Sequence, residues 1–253
     1  MRALTELRLK RATALLLTLA IVFSFTGCQL AELFSAYWLY SRAAKKLERA
    51  GGYEADCSMS MSFDILGESI EAANIEMKLM LNDGNSKTVT YFKDETVTST
   101  VLDGFVYVDY AGEKIRYTVT DSDSDSADIY SGMAIAPKLE KEVFEEVEAV
   151  KLENGDRSIT VNLNEENAME LLGSFMEGVD SVSLKDIAFT VVLTPKGEIR
   201  TTSVDCNAVM ELLGMEITGR VSAEYSFINF GEAPEITLDS PAEEYIDGGE
   251  YQG

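Results

Sequence analysis

From residue 58 to 65 the chain reads SMSMSFDI, and apolar and polar positions alternate. Met59, Met61, Phe63 and Ile65 fall on one face. Ser58, Ser60, Ser62 and Asp64 fall on the other. A period of two is the signature of a half-buried strand. It returns at Ile75, Met77, Leu79 and Leu81, with Met80 on the opposite face. Asn82-Asp83-Gly84-Asn85 follows, a strong hairpin signal. Shorter strands are predicted at 87–92, 96–102, 105–110 and 114–119, with turns at Asp103-Gly104 and Ala111-Gly112-Glu113. Further on, strands are expected at 158–163, 184–193 and 199–207, the last two joined by Pro195-Lys196-Gly197. Phe189, Val191 and Leu193 share a face there. Ile217, Val221, Ala223, Tyr225 and Phe227 complete the series. The sum is an antiparallel meander with one polar face.

Helical spacing occurs in three places. Leu33, Tyr37, Tyr40, Ala44 and Leu47 recur at steps of four and three, and Gly51-Gly52 ends that run. Trp38 and Phe34 are expected to pack inward. A short helical segment is predicted at 137–149. Another follows Asn164-Glu165-Glu166-Asn167, with Ala168, Leu171, Leu172 and Phe175 as its apolar side. The expected class is α+β: one domain with a single antiparallel sheet of eight to ten strands and two or three helices. No linker divides it. The expected divisions are a cleaved signal at 1–27, the domain at 28–240 and an acidic, flexible tail at 241–253.

Charge narrows the function. The formal net charge is −23. Arg2, Arg8, Lys10 and Arg11 against Glu6 give the first eleven residues +3, which leaves −26 on the remainder (−23 minus that +3). Such a surface repels phosphate and argues against nucleic-acid binding. A cationic protein partner is the alternative use of it. The chain has no histidine. That removes Ser-His-Asp and Cys-His catalysis and the commonest metal ligand. The run at 121–132 begins with Asp121, Asp123 and Asp125 like a calcium loop. Ser126 stands where that loop needs Gly, and Gly132 where it needs Glu, so a solvated loop is expected. A glycosidase-like pair of carboxylates would need a deep polar cleft. We expect no catalytic residue, no metal and no cofactor.

The first residues carry an address. Met1 to Arg11 is basic, Ala12 to Phe25 is apolar, and Thr26-Gly27-Cys28 follows. The pattern is that of a secretory signal, its apolar run shorter than the ~20 residues that span a bilayer. The small residue before cysteine resembles the lipobox of bacterial lipoproteins, although Phe25 stands where that family usually has Leu. The resemblance implies that Cys28 is the lipidated first residue of the mature chain. It places the protein on the extracytoplasmic face of the cell membrane, held by its acyl chains. Cys57 and Cys206 lie in strand-like stretches, and either a disulfide or two buried thiols fits the sequence.

The order of parts is a lipobox, an amphipathic helix, a meander carrying DGFVYVDYAGEKIRY at 103–117, a helical insertion, and a closing INFGEAPEITL at 228–238. This order resembles the half-barrel lipoproteins. They include the LolA/LolB carriers, the mycobacterial LppX/LprG group and a family of similar Firmicute lipoproteins. The resemblance implies a curved antiparallel sheet wrapped around helices, with an apolar cavity that takes acyl chains or lipid-like molecules. The strand faces give the candidate lining: Met59, Met61, Phe63, Met77, Leu79, Phe189, Val191 and Tyr225. Methionines adapt to varied shapes, although any one of them equally fills a dry core.

Overall fold

The structure, a computed structural model, describes residues 36–65, 67–93, 95–119, 136–144, 147–168, 172, 182–212 and 215–250. The expected signal, Cys28, Leu33, Phe34, the 121–132 run, Leu171 and Phe175 lie outside the described residues.

A helix, α1, covers 36–48. The strands are β1 (Gly52–Ile65), β2 (Glu68–Asn82), β3 (Asn85–Phe92), β4 (Glu95–Leu102), β5 (Phe105–Tyr110), β6 (Glu113–Thr118), β7 (Val147–Lys151), β8 (Arg157–Leu163), β9 (Val182–Leu193), β10 (Ile199–Leu212), β11 (Met215–Phe227) and β12 (Ile246–Glu250). They form one sheet in the order β12-β6-β5-β4-β3-β2-β1-β11-β10-β9-β8-β7. Every pair is antiparallel except β12 with β6. Among the described residues the expected sheet is therefore present with twelve strands instead of eight to ten.

Local chemistry sets the register. Asp83 (φ 43°) and Gly84 (φ 84°) both lie in the left-handed region that a two-residue hairpin requires. That tight turn puts Leu81 opposite Ser86 and Leu79 opposite Thr88. Asp103-Gly104 and Ala111-Gly112 repeat the device between β4 and β5 and between β5 and β6.

The main hydrophobic core lies on one face of the sheet, here called the inner face. α1 covers part of it. Its buried positions are Ala36, Tyr40, Ala43 and Leu47, while Tyr37 and Ala44 are only half-buried. The stripe has the expected steps, but its centre is shifted toward two alanines, which let the helix backbone approach the sheet. Tyr40 is the hub. Its ring meets Phe189 edge-on at 5.9 Å and Phe144 at 5.6 Å, and its hydroxyl donates to the carbonyl of Pro137 at 2.6 Å. Lys46, in the last turn, donates to the carbonyl of Lys196 at 3.0 Å.

A second helix, α2, is described at 165–168 and 172. Asn164 caps it by accepting from the Asn167 amide at 2.8 Å. Ala168 and Leu172 are fully buried.

Three expectations need correction. The segment 137–149 is not a helix. It holds a short 3-10 turn at Lys141–Phe144, and β7 then pairs with β8. Its Glu and Lys content suggests helix, but pairing with a strand edge overrides that weak preference. The end of the chain is not a frayed tail as far as Glu250. Residues 228–231 continue along β1, with Phe230 against Phe227 of the inner core, the chain then crosses the outer face as a strap as far as 245, and β12 lies parallel to β6. Trp38 does not pack inward. It is 62% exposed with Arg42 over its ring.

The strap is tied along its length. The Ile228 and Gly231 amides donate to the carbonyls of Glu54 and Gly52. Asn82 donates to the carbonyl of Pro234 at 2.7 Å, and Lys87 to that of Thr237 at 3.2 Å. Lys87 pairs with Asp239, Lys114 with Glu244 and Arg116 with Asp247. Tyr245 stands edge-on to Tyr107 at 5.1 Å. No helix among the described residues is long and apolar enough to cross a membrane.

Candidate functional site

Alternation along β1 decides the two faces. Tyr53, Ala55, Cys57, Met59, Met61 and Phe63 are all buried, while Asp56, Ser58, Ser60 and Asp64 between them are exposed. Pairing carries this face sideways. On β2, Leu79 lies opposite Ala55 and Met77 opposite Cys57. On β11, Tyr225 lies opposite Cys57, Ala223 opposite Met59 and Val221 opposite Met61. On β9 and β8, Phe189 lies opposite Val204 and Val161, and Val191 opposite Thr202 and Ile159.

All eight candidate lining residues therefore occur on one face and belong to, or pack against, one hydrophobic cluster. Met59, Met61, Phe63, Leu79, Phe189, Val191 and Tyr225 are buried, and Met77 is half-buried beside them. Burial falls off toward the β1–β2 hairpin, where Ile65 and Ile70 are exposed. β2 also extends past its last pairing with β3, at Glu76.

Cys57 and Cys206 are free and buried on this face. β11 runs between them, with Cys57 opposite Tyr225 and Cys206 opposite Val221. Two strand spacings and four residues of offset separate them by roughly 16 Å. A disulfide needs Cα atoms within ~7 Å. Burial pushes the Cys57 thiol up to about 12, against a hydrogen bond from Tyr225 that lowers it. Burial pushes Cys206 up to about 11, helped by the charge of Asp205. Burial likewise raises the Tyr225 hydroxyl well above its ordinary range. Neither thiol is an activated nucleophile.

The sequence reading missed a hydroxyl-bearing strip on the same face. On β3 the inner positions are Ser86, Thr88 and Thr90, paired with Leu81, Leu79 and Met77. On β4, Ser99 stands opposite Thr88. Alternation within KTVTYF suggests Val89 and Tyr91 as the buried face. The Asp83-Gly84 turn reverses that by fixing Ser86 against Leu81. Counting the register from the turn would have revealed it.

The outer face is different in kind. One hollow of about 340 Å³ is lined mainly by Asp56, Ser58, Glu76, Lys78, Tyr91 and Glu224. Another, of about 610 Å³, is lined by residues including Asp64, Lys185, Asp186, Asn207, Glu216 and Arg220. Glu76 and Glu224 flank Ser58, both exposed and separated by the width of β1. That is an open surface and not the deep cleft a carboxylate pair would need. Among the described residues no group of three or more His, Cys, Asp or Glu is placed to hold a metal ion.

No family model and no curated protein sequence matches the chain. Solved structures do. LprF from Mycobacterium bovis is similar at 9% identity and a TM-score of 0.42, over 82% of this chain and 98% of that one. A DUF1329 family protein from Desulfovibrio piger is similar at 8% identity and a TM-score of 0.25, over 78% and 92%. A LolA superfamily protein from Nitrosomonas europaea is similar at 8% identity and a TM-score of 0.23, over 83% and 97%. These likenesses are distant.

Proposed function

We propose that the protein is an extracytoplasmic lipoprotein, anchored to the membrane through Cys28, that binds or carries a hydrophobic, lipid-like ligand without chemically changing it. The observation that carries this reading is the inner face. It gathers Met59, Met61, Phe63, Met77, Leu79, Phe189, Val191 and Tyr225 on one continuous apolar surface, backed by a polar outer face. An apolar face of this size must be covered by side chains or by a ligand. The half-barrel lipoproteins that the sequence resembles use such a surface for acyl chains. Burial holds the two thiols and the Tyr225 hydroxyl on this face in their neutral forms, which suits an apolar guest. Two acyl chains on Cys28 would give stable anchoring where a single chain would not.

A photoactivatable fatty acid tests this directly. It should label peptides of β1, β2 and β11, and unlabelled lipid should compete with it. Labelling confined to the strap or the exposed hairpins would count against the proposal.

A second reading has its own observation. The outer hollow presents Asp56, Glu76 and Glu224 around Lys78, on a chain of net charge −23. Such a surface fits a cationic protein partner. Capture of a partner that weakens steeply with salt, from a protein that takes up no lipid, would favour it.

A further inference from the structure

Four residues run across the inner face in one row: Leu79 on β2, Thr88 on β3, Ser99 on β4 and Val108 on β5. The two middle residues bear hydroxyls. Both oxygens are buried, and neither has a hydrogen-bond partner. Thr88 as a residue is only 7% exposed.

This pair differs from two other opposed hydroxyl pairs in the sheet. Ser60 and Ser222, directly opposed on β1 and β11, bond to each other at 3.0 Å. Thr160 and Thr190, directly opposed on β8 and β9, do so at 2.9 Å. Thr88 and Ser99 are directly opposed in the same way, yet their hydroxyls stay unpaired. A buried hydroxyl without a partner is costly, and valine fills the same space without that cost. The rows on either side carry a hydroxyl on β3 alone among β2 to β4, Ser86 between Leu81 and Val101 and Thr90 between Met77 and Val97.

The site is uncharged. The inner positions of β2 to β4 in these rows carry no cation. Lys87, next to Thr88, faces outward and is tied to Asp239 and to the Thr237 carbonyl. A phosphate or carboxylate placed here would be buried without a counter-charge.

We propose that Thr88 and Ser99 form the polar subsite of the inner face and donate hydrogen bonds to the carbonyl oxygen of an uncharged lipid ester of the acylglycerol type, whose chains lie along the methionine-bearing strands. The proposal rests on the lipid-binding reading and names its ligand class.

The test compares the full chain with a Thr88→Val/Ser99→Ala double variant. The probes are 1,2-dioleoylglycerol, oleate and squalane, a hydrocarbon without oxygen. The wild type should prefer dioleoylglycerol to oleate. The variant should bind dioleoylglycerol at least tenfold more weakly, about 1.4 kcal/mol, and bind squalane unchanged. Free of ligand, the variant should melt about 2–4 °C higher, because orphaned hydroxyls have been removed. Equal dioleoylglycerol binding by both proteins, with squalane still bound, would overturn the subsite and leave the carrier reading standing. A preference for oleate would overturn the uncharged-ester assignment. Binding of no probe by either protein would overturn the carrier reading and the subsite with it.

Discussion

Gly219 makes the seat for Phe63. The two residues lie opposite each other on β11 and β1, and a Cβ at 219 would stand 2.5 Å from Cδ1 of the Phe63 ring. It would come closer still to the carbonyl oxygen of Ser62, a backbone atom that cannot turn aside. Gly219→Ala should therefore destabilise the protein by about 1–3 kcal/mol, the usual range for overpacking. Urea unfolding followed by circular dichroism reads this as a lower midpoint at unchanged slope. Wild-type stability of the variant would mean that Phe63 does not lie over Gly219.

The strap offers a parallel case on the other face. A Cβ at Gly52 would meet the Cα of Ala233 at 2.6 Å and the Leu81 carbonyl at 2.7 Å, both backbone atoms. Gly52→Ala should loosen the strap without emptying the inner core. Hydrogen exchange should quicken at 228–245 and in β12, and leave β9 and β10 unchanged. Uniform quickening would contradict an outer-face strap that opens independently.

The strap should also respond to pH at both extremes. The Gly249 amide, and after it Arg116, hold the Asp247 carboxyl below the usual carboxylate range. A lowered folded-state value stabilises at neutral pH and is lost as pH falls through that range. The hydrogen bond to Glu244 raises Lys114 above the ordinary lysine range. That contribution is present at neutral pH and is lost as pH rises through the lysine range. Exchange protection of β12 should be flat between, and fall at either end. These are surface pairs, so high salt should flatten the profile. Protection of β12 that does not change with pH would show that these ion pairs do not hold it.

How much of this was legible in the sequence varies with the physics of each part. The inner faces of β1, β2 and β11 could be read directly, because one buried face imposes strict alternation on Met59, Met61 and Phe63 and on Val221, Ala223 and Tyr225. The turns at Asp83-Gly84 and Asp103-Gly104 could be read because few residues tolerate that backbone. The buried face of β3 was not legible in its own residues, because its threonines face inward and its Val89 and Tyr91 outward. The strap was hidden, since a segment held by Asn82, Lys87 and single backbone bonds has no periodicity. The shift of the α1 stripe toward Ala36 and Ala43 was hidden too, because alanine gives little hydrophobic signal at a position where closeness to the sheet matters more than bulk. The Thr88–Ser99 pair required the register, which one strand alone does not contain.

Tyr40 tests how α1 is held. Tyr40→Phe keeps the contacts with Phe189 and Phe144 and orphans the Pro137 carbonyl, a loss of about 1 kcal/mol. Tyr40→Ala removes the ring as well, and the loss should reach about 3–5 kcal/mol. Equal losses for the two variants would assign the role to the hydroxyl and not to the ring.

The cysteines report on packing and on anchoring together. Cys57 and Cys206 are buried with thiols raised to about 12 and about 11, so neither should react with a thiol reagent at pH 8 while the protein is folded. Denatured protein taken from membranes should titrate two thiols, since lipid blocks Cys28. Three thiols would contradict lipidation, and none would reveal a disulfide.

The most direct test of the central claim is native mass spectrometry, with solvent extraction, on the protein expressed in a bacterium. The account predicts a non-covalent, uncharged lipid of defined mass, released by gentle activation and recovered in the extract apart from the chains on Cys28. A protein that shows only its own lipidated mass, and keeps it after incubation with dioleoylglycerol and oleate, would contradict the account and turn attention to the acidic outer face.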